Sequence, residues 1–390
     1  MKDLFRRPAG LIWVQVALIA LVVGAIAVGC SQSPETPVSP ATEDQSVQLG
    51  LDDPGVQAVM AVQDRHTPDL LSVPGVVGTA TGVNRDGRPV VKLYLQTEPG
   101  DMVLPRRVDG VPVVLQVTGP IEPLKGPPGG GGPPGQGNGA DHQGIQDPPI
   151  QLGTSGGWRH DLANGYCCGG TLGSLITDGS HLYILSNWHV LYSDIVSGGN
   201  SRTAQPGDPV IQPGLIDVSC SAGSAQDVAT LINGGGSLPG SGVDAGIAEV
   251  IPGMVASDGS ILEIGTLSSS TAAASIGQAV KKSGRTTGLA RSTVDGLNGA
   301  FSITYANECA GGTAFTESYT GQIVVQNRRC GFLDGGDSGS LMVEDVDTNP
   351  RAVGLLFAGS SICSRSAIAI ANPIDDVLSY YGGGFSMVGN

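Results

Sequence analysis

Apolar positions along this chain come in short β-branched and aliphatic runs separated by Gly, Pro, Asn, Asp and Ser. Between residues 156 and 384 such runs fall at 181–185, 227–232, 245–250, 321–325, 340–343 and 352–357. Runs this short, bounded by turn residues, predict strands rather than helices. The helical stretch of note there is 373–380. That number of evenly spaced strands over one long segment predicts a β-sandwich or a pair of barrels. Further upstream the pattern is mixed. Val56, Val59, Met60 and Val62 have the spacing of a short amphipathic helix, which stops near Pro68. Two apolar runs, 75–83 and 89–95, flank Asn84-Arg85-Asp86-Gly87-Arg88. This is a hairpin signature, because Asp-Gly suits a turn that needs positive φ. With a further run at 111–117, residues 51–124 predict a small α+β module.

The interruptions divide the chain. Residues 125–155 are built around Gly-Pro-Pro-Gly-Gly-Gly-Gly-Pro-Pro-Gly, which lacks the triplet period of collagen and predicts a linker. Residues 30–50 are rich in Ser, Pro, Thr and acidic residues, as a flexible tether is. In residues 1–29, Lys2, Arg6 and Arg7 precede an uncharged apolar run that ends Ala27-Val28-Gly29-Cys30. A basic start, an apolar run and small residues before a cut describe an export signal.

Composition sharpens the fold class. Gly and Pro number 61 and 26 of 390 residues, nearly twice the roughly 12% of average usage. Charged residues are 14%, against about 25% ordinarily. Such a chain is poor material for helical bundles and good material for strands and tight turns. Disorder throughout is excluded by a hydrophobic fraction of 40%. The net charge is −15, and without residues 1–29 it is −17, from 17 basic and 34 acidic residues. A surface this acidic lacks the cations that nucleic acid requires, so no nucleic-acid partner is expected. Setting Cys30 aside, six cysteines remain, at 167, 168, 220, 309, 330 and 363. An even count in an exported chain favours disulfides, in any of 15 connectivities. No C-x-x-C pair occurs and histidine is scarce, so neither a metal nor any other cofactor is expected.

The chemistry concentrates in Gly335-Gly336-Asp337-Ser338-Gly339-Ser340, which runs directly into an apolar strand. A serine hydroxyl becomes a nucleophile when a base takes its proton and backbone amides face the developing oxyanion. Glycines beside the serine let those amides turn inward. His66, His142 and His160 sit in polar or linker-like sequence, and His181 opens a strand, whereas His189 ends the run Leu182-Tyr183-Ile184-Leu185-Ser186-Asn187-Trp188. Asp244 precedes the strand Ala245-Gly246-Ile247-Ala248. Taken singly, each is an ordinary structural histidine, turn aspartate or turn serine. Taken in order, they read His189, Asp244, Ser338.

That order, each residue in its local setting, resembles the chymotrypsin/trypsin-like serine endopeptidases over residues 156–384. The resemblance implies two antiparallel six-stranded β-barrels with a C-terminal helix, preceded here by the α+β module. Val280-Lys281-Lys282-Ser283-Gly284-Arg285-Thr286-Thr287-Gly288 is similar to a segment of the secreted bacterial branch, the streptogrisins and α-lytic endopeptidase. In that branch a basic residue of this loop pairs with the Asp before the nucleophile. The pair here is Lys282 with Asp337, Arg285 being the substitute; a cysteine the branch often carries is replaced by Lys281. The resemblance makes Ser338 the nucleophile, His189 the general base and Asp244 its orienting acid, with the amides of Gly336 and Ser338 as oxyanion hole. It puts Phe332, Phe357, Ala358 and Gly359 at the substrate pocket, where apolar or small residues are then expected in the substrate. It also makes Cys330 the partner of Cys363, with Cys309–Cys330 competing. Ala27-Val28-Gly29-Cys30 resembles the lipobox of bacterial lipoproteins, although Leu is usual where Ala27 stands; an uncleaved anchor is the other reading. Either keeps the protein extracytoplasmic; the lipobox reading puts it in the bacterial cell envelope with Cys30 as the lipid anchor, or secreted after processing, and proteins or peptides are the substrates. A protease-like surface binding protein without catalysis is the alternative function. The module at 51–124 is then a pro-segment that inhibits in cis until the linker is cut, or a permanent spacer.

Overall fold

The computed structural model describes residues 48–123, 140–163, 166–192, 202–238, 240–305 and 314–390. The signal segment, Cys30, the core of the Gly/Pro linker and Cys309 lie outside the described residues. Among the described residues no helix is long and apolar enough to cross a membrane.

The first elements are α1 (Pro54–Leu71), β1 (Val76–Val83), β2 (Pro89–Leu95), β3 (Arg107–Val108), β4 (Val111–Val117) and β5 (Ile121–Pro123). Asp53 caps α1, its carboxylate accepting from the amides of Gly55 and Val56 at 2.8 and 2.9 Å, and Pro54 opens the first turn, where no amide donor is missed. The helix stops within a turn of Pro68, as the sequence suggests. Pro68 stands in the last turn, so little ladder remains to lose. The chain continues to Leu71, and Ser72 donates back to Pro68 and Asp69. The hairpin forms where expected, with Gly87 at φ +72° and Gly87 N–H donating to Asn84 O at 3.0 Å. Helix α1 covers this sheet by packing Val59, Val62 and Leu70 on Val91, Leu93, Leu95 and Val108.

The central run consists of β6 (Thr154–Trp158), β7 (Leu162–Ala163), β8 (Tyr166–Cys167), β9 (Gly170–Leu172), β10 (Ser174–Thr177) and β11 (Leu182–Ser186), then α2 (Trp188–Leu191). It continues through β12 (Pro209–Gln212), β13 (Gln226–Gly236) and β14 (Gly246–Val250). The last part holds β15 (Ala279–Lys282), β16 (Ala290–Tyr305), β17 (Phe315–Gln326), β18 (Leu341–Glu344), β19 (Ala352–Ser360), β20 (Ile368–Pro373), α3 (Ile374–Tyr380) and β21 (Ser386–Met387).

Two large sheets result, antiparallel except for the parallel β2–β4 pair, besides the small β7–β8 hairpin. One runs β21-β10-β11-β14-β13-β12-β6-β9. The other contains a closed ring of β15, β18, β19, β20, β17 and β16, since β16 pairs back onto β15. Closure removes the exposed edges that an open sheet would present. The expected all-β double-barrel architecture of chymotrypsin type, with its C-terminal helix, is therefore the observed one. Strand β16 is 16 residues long, which leaves room beyond β15 for β1. Through that β1–β16 pairing, β1, β2, β4 and β3 extend the second sheet. Lys92 reinforces the junction with a mostly buried ion pair to Asp295 at 2.5 Å, and buried Gln63 donates to Asn298 O at 2.7 Å.

The sequence pattern carries the linker through residue 155. Its last part is packed instead, with Ile150 and Leu152 fully buried in the main core. His142, in linker-like sequence, is buried with Nδ1 at 2.8 Å from Gly153 O and Nε2 at 2.7 Å from the Glu263 carboxylate. Sparse apolar residues within a Gly/Pro-rich run hide this anchor.

Candidate active site

Strand β11 ends at Ser186, and the single turn of α2 then carries His189 inward. Asp244 sits just before β14, the strand that pairs with β11 in register from Ser186–Gly246 to Tyr183–Glu249. Neighbouring strand ends therefore bring the two side chains together. His189 Nδ1 lies 2.6 Å from Asp244 Oδ2, and the His189 amide donates to Oδ1 at 3.3 Å. Both residues are buried. The backbone of Asp244 is itself fixed: its N–H donates to Asn372 Oδ1 at 2.8 Å, and Asn187 Nδ2 donates to its carbonyl at 2.7 Å. The other imidazole nitrogen, Nε2, is buried with no hydrogen-bond partner among the described residues.

A residue that the sequence does not single out completes this wall. Tyr305, at the end of β16, donates its hydroxyl to Asp244 Oδ2 at 2.7 Å. Burial first, then the Asp244 charge, holds the Tyr305 hydroxyl well above the ordinary tyrosine range. It therefore keeps its proton and acts as donor to the carboxylate. With that proton committed, the 2.5 Å contact with Tyr319 must run from the Tyr319 hydroxyl to Tyr305. The Tyr305 ring also stands 6.0 Å from that of His189. No local motif marks Tyr305, because it reaches Asp244 only where the two sheets meet.

The turn before β18 presents Ser338. Its hydroxyl lies 3.3 Å from Phe357 O on β19, and its carbonyl accepts from the Thr171 amide on β9 at 2.8 Å. Strand β9 joins the two halves of the site. A Cβ on Gly170 would meet Val190, the neighbour of His189, at 2.5 Å and the Ser338 carbonyl at 2.9 Å. Gly336 has φ +97°, and a Cβ there would stand 2.7 Å from Thr286 Oγ1 and 2.8 Å from Arg285 Nη1. Gly339, at φ +92°, approaches Ser186 Oγ and Thr171 O more closely still. Only glycine meets both demands, positive φ and contact with neighbouring atoms.

Asp337 is fully buried, and its donors come from the Lys282–Thr287 loop and from its own turn. Lys282 Nζ lies 3.0 Å from Oδ1; the amides of Thr286 and Thr287 donate to the same oxygen, while Thr287 Oγ1 and the Asp334 amide donate to Oδ2. Burial pulls the Lys282 ammonium below its usual range, and the Asp337 charge opposes that pull. Arg285 is not the partner of Asp337. It forms a buried two-point ion pair with Asp217, at 2.7 Å from Nε and 2.6 Å from Nη2.

The residues expected at a substrate pocket separate. Phe357, Ala358 and Gly359 lie on β19 beside Ser338. Phe332 is buried in the core of the second sheet with Leu333, Met342 and Val325. Cys330 is bonded to Cys363 and Cys167 to Cys220, while Cys168 is also disulfide-bonded. The competing Cys309–Cys330 pairing is thereby replaced.

Parts of this chain are similar to known families and structures. The family described as Nal1 C-terminal domain matches residues 243–377, a span with Asp244 and Ser338 but not His189. No curated protein matches the sequence. Among solved structures, a glutamic acid-specific serine protease is 22% identical, with a TM-score of 0.40, covering 61% of this chain and 100% of its own. Thermobifida fusca protease A is 20% identical, with a TM-score of 0.40, covering 62% and 99%. Cellulomonas bogoriensis chymotrypsin is 20% identical, with a TM-score of 0.37, covering 62% and 99%.

Proposed function

We propose that this protein is a serine endopeptidase that hydrolyses peptide bonds through an acyl-enzyme on Ser338. The observation that carries the reading is the buried His189–Asp244 pair, with one imidazole nitrogen on the carboxylate and the other left for a proton from the nucleophile. In this reading His189 takes the Ser338 proton and later returns it to the leaving amine. Asp244, steadied by Tyr305, fixes the tautomer and stabilises the imidazolium. The amides of Gly336 and Ser338 receive the oxyanion, in a turn that the Lys282–Asp337 pair holds from below. An isolated carboxylate in that position would be costly, so a fully paired one supports a purpose-built turn.

The same reading sets the protein outside the cytoplasm, attached through a lipid on Cys30 in the cell envelope. Its disulfides support an oxidising compartment. Residues 51–124 act on the protease in cis, as an inhibitory pro-segment. The pairing of β5 with β19, next to Ser338, supports that role over a passive spacer.

Hydrolysis of unfolded casein by the full chain, by Ser338→Ala and by His189→Ala tests the activity. Loss of hydrolysis in both variants supports it. Equal hydrolysis by all three, or none by any form after the linker has been cut, refutes it in favour of a binding protein.

A further inference from the structure

Gly335 and Gly336 are adjacent, so no Cβ restrains the peptide group between them. That one group carries the Gly335 carbonyl on one side and the Gly336 amide on the other. In a trans peptide the two point in opposite directions. A half-turn of the plane would exchange them and put a carbonyl where the oxyanion donor is needed. Two glycines allow both states at little cost. The choice between them must therefore be made from outside the turn.

The Gly335 carbonyl is held. Thr286 Oγ1 lies 2.6 Å from it, and Arg285 Nη1 lies 3.0 Å from the same hydroxyl. These bonds have only one possible direction. A guanidinium only donates and a carbonyl only accepts, so Thr286 accepts from Arg285 and gives its own proton to Gly335 O. Arg285 is fully buried, and its Nε and Nη2 are committed to Asp217. Asp217 takes a third donor, Ser155 Oγ, at 2.5 Å. A planar guanidinium clamped at two points leaves Nη1 a single direction, and that direction is toward Thr286. A second brace acts on the next peptide. Thr171 Oγ1 donates to Gly336 O at 2.9 Å and accepts from the Arg285 amide at 3.0 Å. Arg285 thus supports both threonines, one through its side chain and one through its backbone.

We propose that Thr286, backed by the Arg285–Asp217 pair, is a positioning residue that fixes the Gly336 amide as oxyanion donor. This rests on the endopeptidase reading above and deepens it, by naming what holds the donor in place. Thr286 acts through the Gly335 carbonyl and not on the reacting atoms. Without its hydroxyl the 335–336 plane turns, and only the fraction of molecules with the amide inward stabilises the oxyanion. That donor counts most as charge develops, so the loss falls on kcat rather than on KM.

Initial rates of casein hydrolysis over a range of casein concentrations test this. The full chain, before and after its linker is cut, is compared with Thr286→Val, Thr286→Ala, Thr286→Ser and Arg285→Lys. Removing an oxyanion donor outright costs about 10²–10³ in rate, and a donor present part of the time costs less. Thr286→Val and Thr286→Ala are expected to lose about 10–100-fold in kcat, with KM within about threefold of the parent. Thr286→Ser keeps the hydroxyl and should stay within about threefold in both. Arg285→Lys keeps the charge but not the fork, and should lose about fivefold or more in kcat. Circular dichroism shows which variants are folded, and Thr286→Ala stands in if the Val variant is not. A folded hydroxyl-free variant within twofold of the parental kcat overturns the inference and leaves the endopeptidase reading standing. So does a Thr286→Ser variant as slow as Thr286→Val. Absence of hydrolysis by the parent in either form overturns the two together.

Discussion

Replacing Tyr305 with Phe removes one hydroxyl from the wall around Asp244 and leaves the ring stack against Phe315, at 5.0 Å, in place. Asp244 Oδ2 then keeps a single donor, His189 Nδ1, where it had two. A hydrogen bond to a charged group contributes about 1.5–3 kcal/mol. The Tyr319 hydroxyl also loses its acceptor in a buried setting, at a further cost of about 1 kcal/mol. Together these lower stability by about 2.5–4 kcal/mol, or a Tm fall on the order of 5–15 °C for a domain of this size. The effect on turnover comes through Asp244, which no longer sits in one fixed orientation against His189. A loss of about 10–100-fold in kcat with KM nearly unchanged is expected, because the affected group meets the reaction only as charge develops. Kinetics of casein hydrolysis, alongside calorimetry, separate the two effects. A Tyr319→Phe variant should lose stability with a much smaller change in kcat. If Tyr305→Phe lowers Tm but leaves kcat within twofold of the parent, Tyr305 is a packing residue and its placement in the site is wrong.

Other substitutions probe other parts of the site. Gly336→Ala forces a Cβ onto Arg285 and Thr286 at φ +97°, and should reduce kcat by about 10²–10³ by turning an oxyanion donor away; a variant with parental kcat would exclude that amide from catalysis. Lys282→Met leaves the Asp337 carboxylate buried without its cation, which should cost about 3–5 kcal/mol in denaturant unfolding. Retained stability would mean that the Thr286 and Thr287 donors suffice. Asp178 accepts from the amides of His181 and Ser180, which hold its carboxyl below the usual range. A lowered folded-state value means that this contribution is present at neutral pH and fades as pH falls below about 4, the ordinary range of an unfolded Asp. Asp178→Asn should therefore be less stable than the parent at pH 7 and converge with it toward pH 2 in thermal melts. A constant gap across that range contradicts the assignment.

How much of the molecule is legible in its sequence depends on how local each feature is. The Gly335–Ser340 turn, the hairpin at Asn84–Arg88 and the strand leading to His189 are written in adjacent residues, so residue type and spacing are enough to find them. Tyr305 is invisible at that level because its meaning depends on the two sheets meeting at Asp244, where Tyr319 of β17 arrives as well. The pairing of Ile121–Pro123 with β19 is equally hidden. Three residues with one proline have no strand pattern of their own, and they become a strand because β19 offers an open edge. Arg285 shows a different limit. Its loop is recognisable, yet which of two cations reaches Asp337 depends on Asp217 lying where it can claim the other one. Composition obscures His142 and Ile150, since a Gly/Pro-rich stretch looks uniform although its second half is anchored in the core.

The chemistry described here stands or falls with Ser338 as an activated nucleophile. Labelling with a fluorophosphonate probe, with mass mapping of the adduct, decides it, using full-length protein, the Ile121→Asp variant that loosens β5, and Ser338→Ala. One adduct on Ser338 is expected, slow in the parent, faster in Ile121→Asp and absent in Ser338→Ala. Folded Ile121→Asp protein that stays unlabelled, or is labelled at any residue but Ser338, would contradict it.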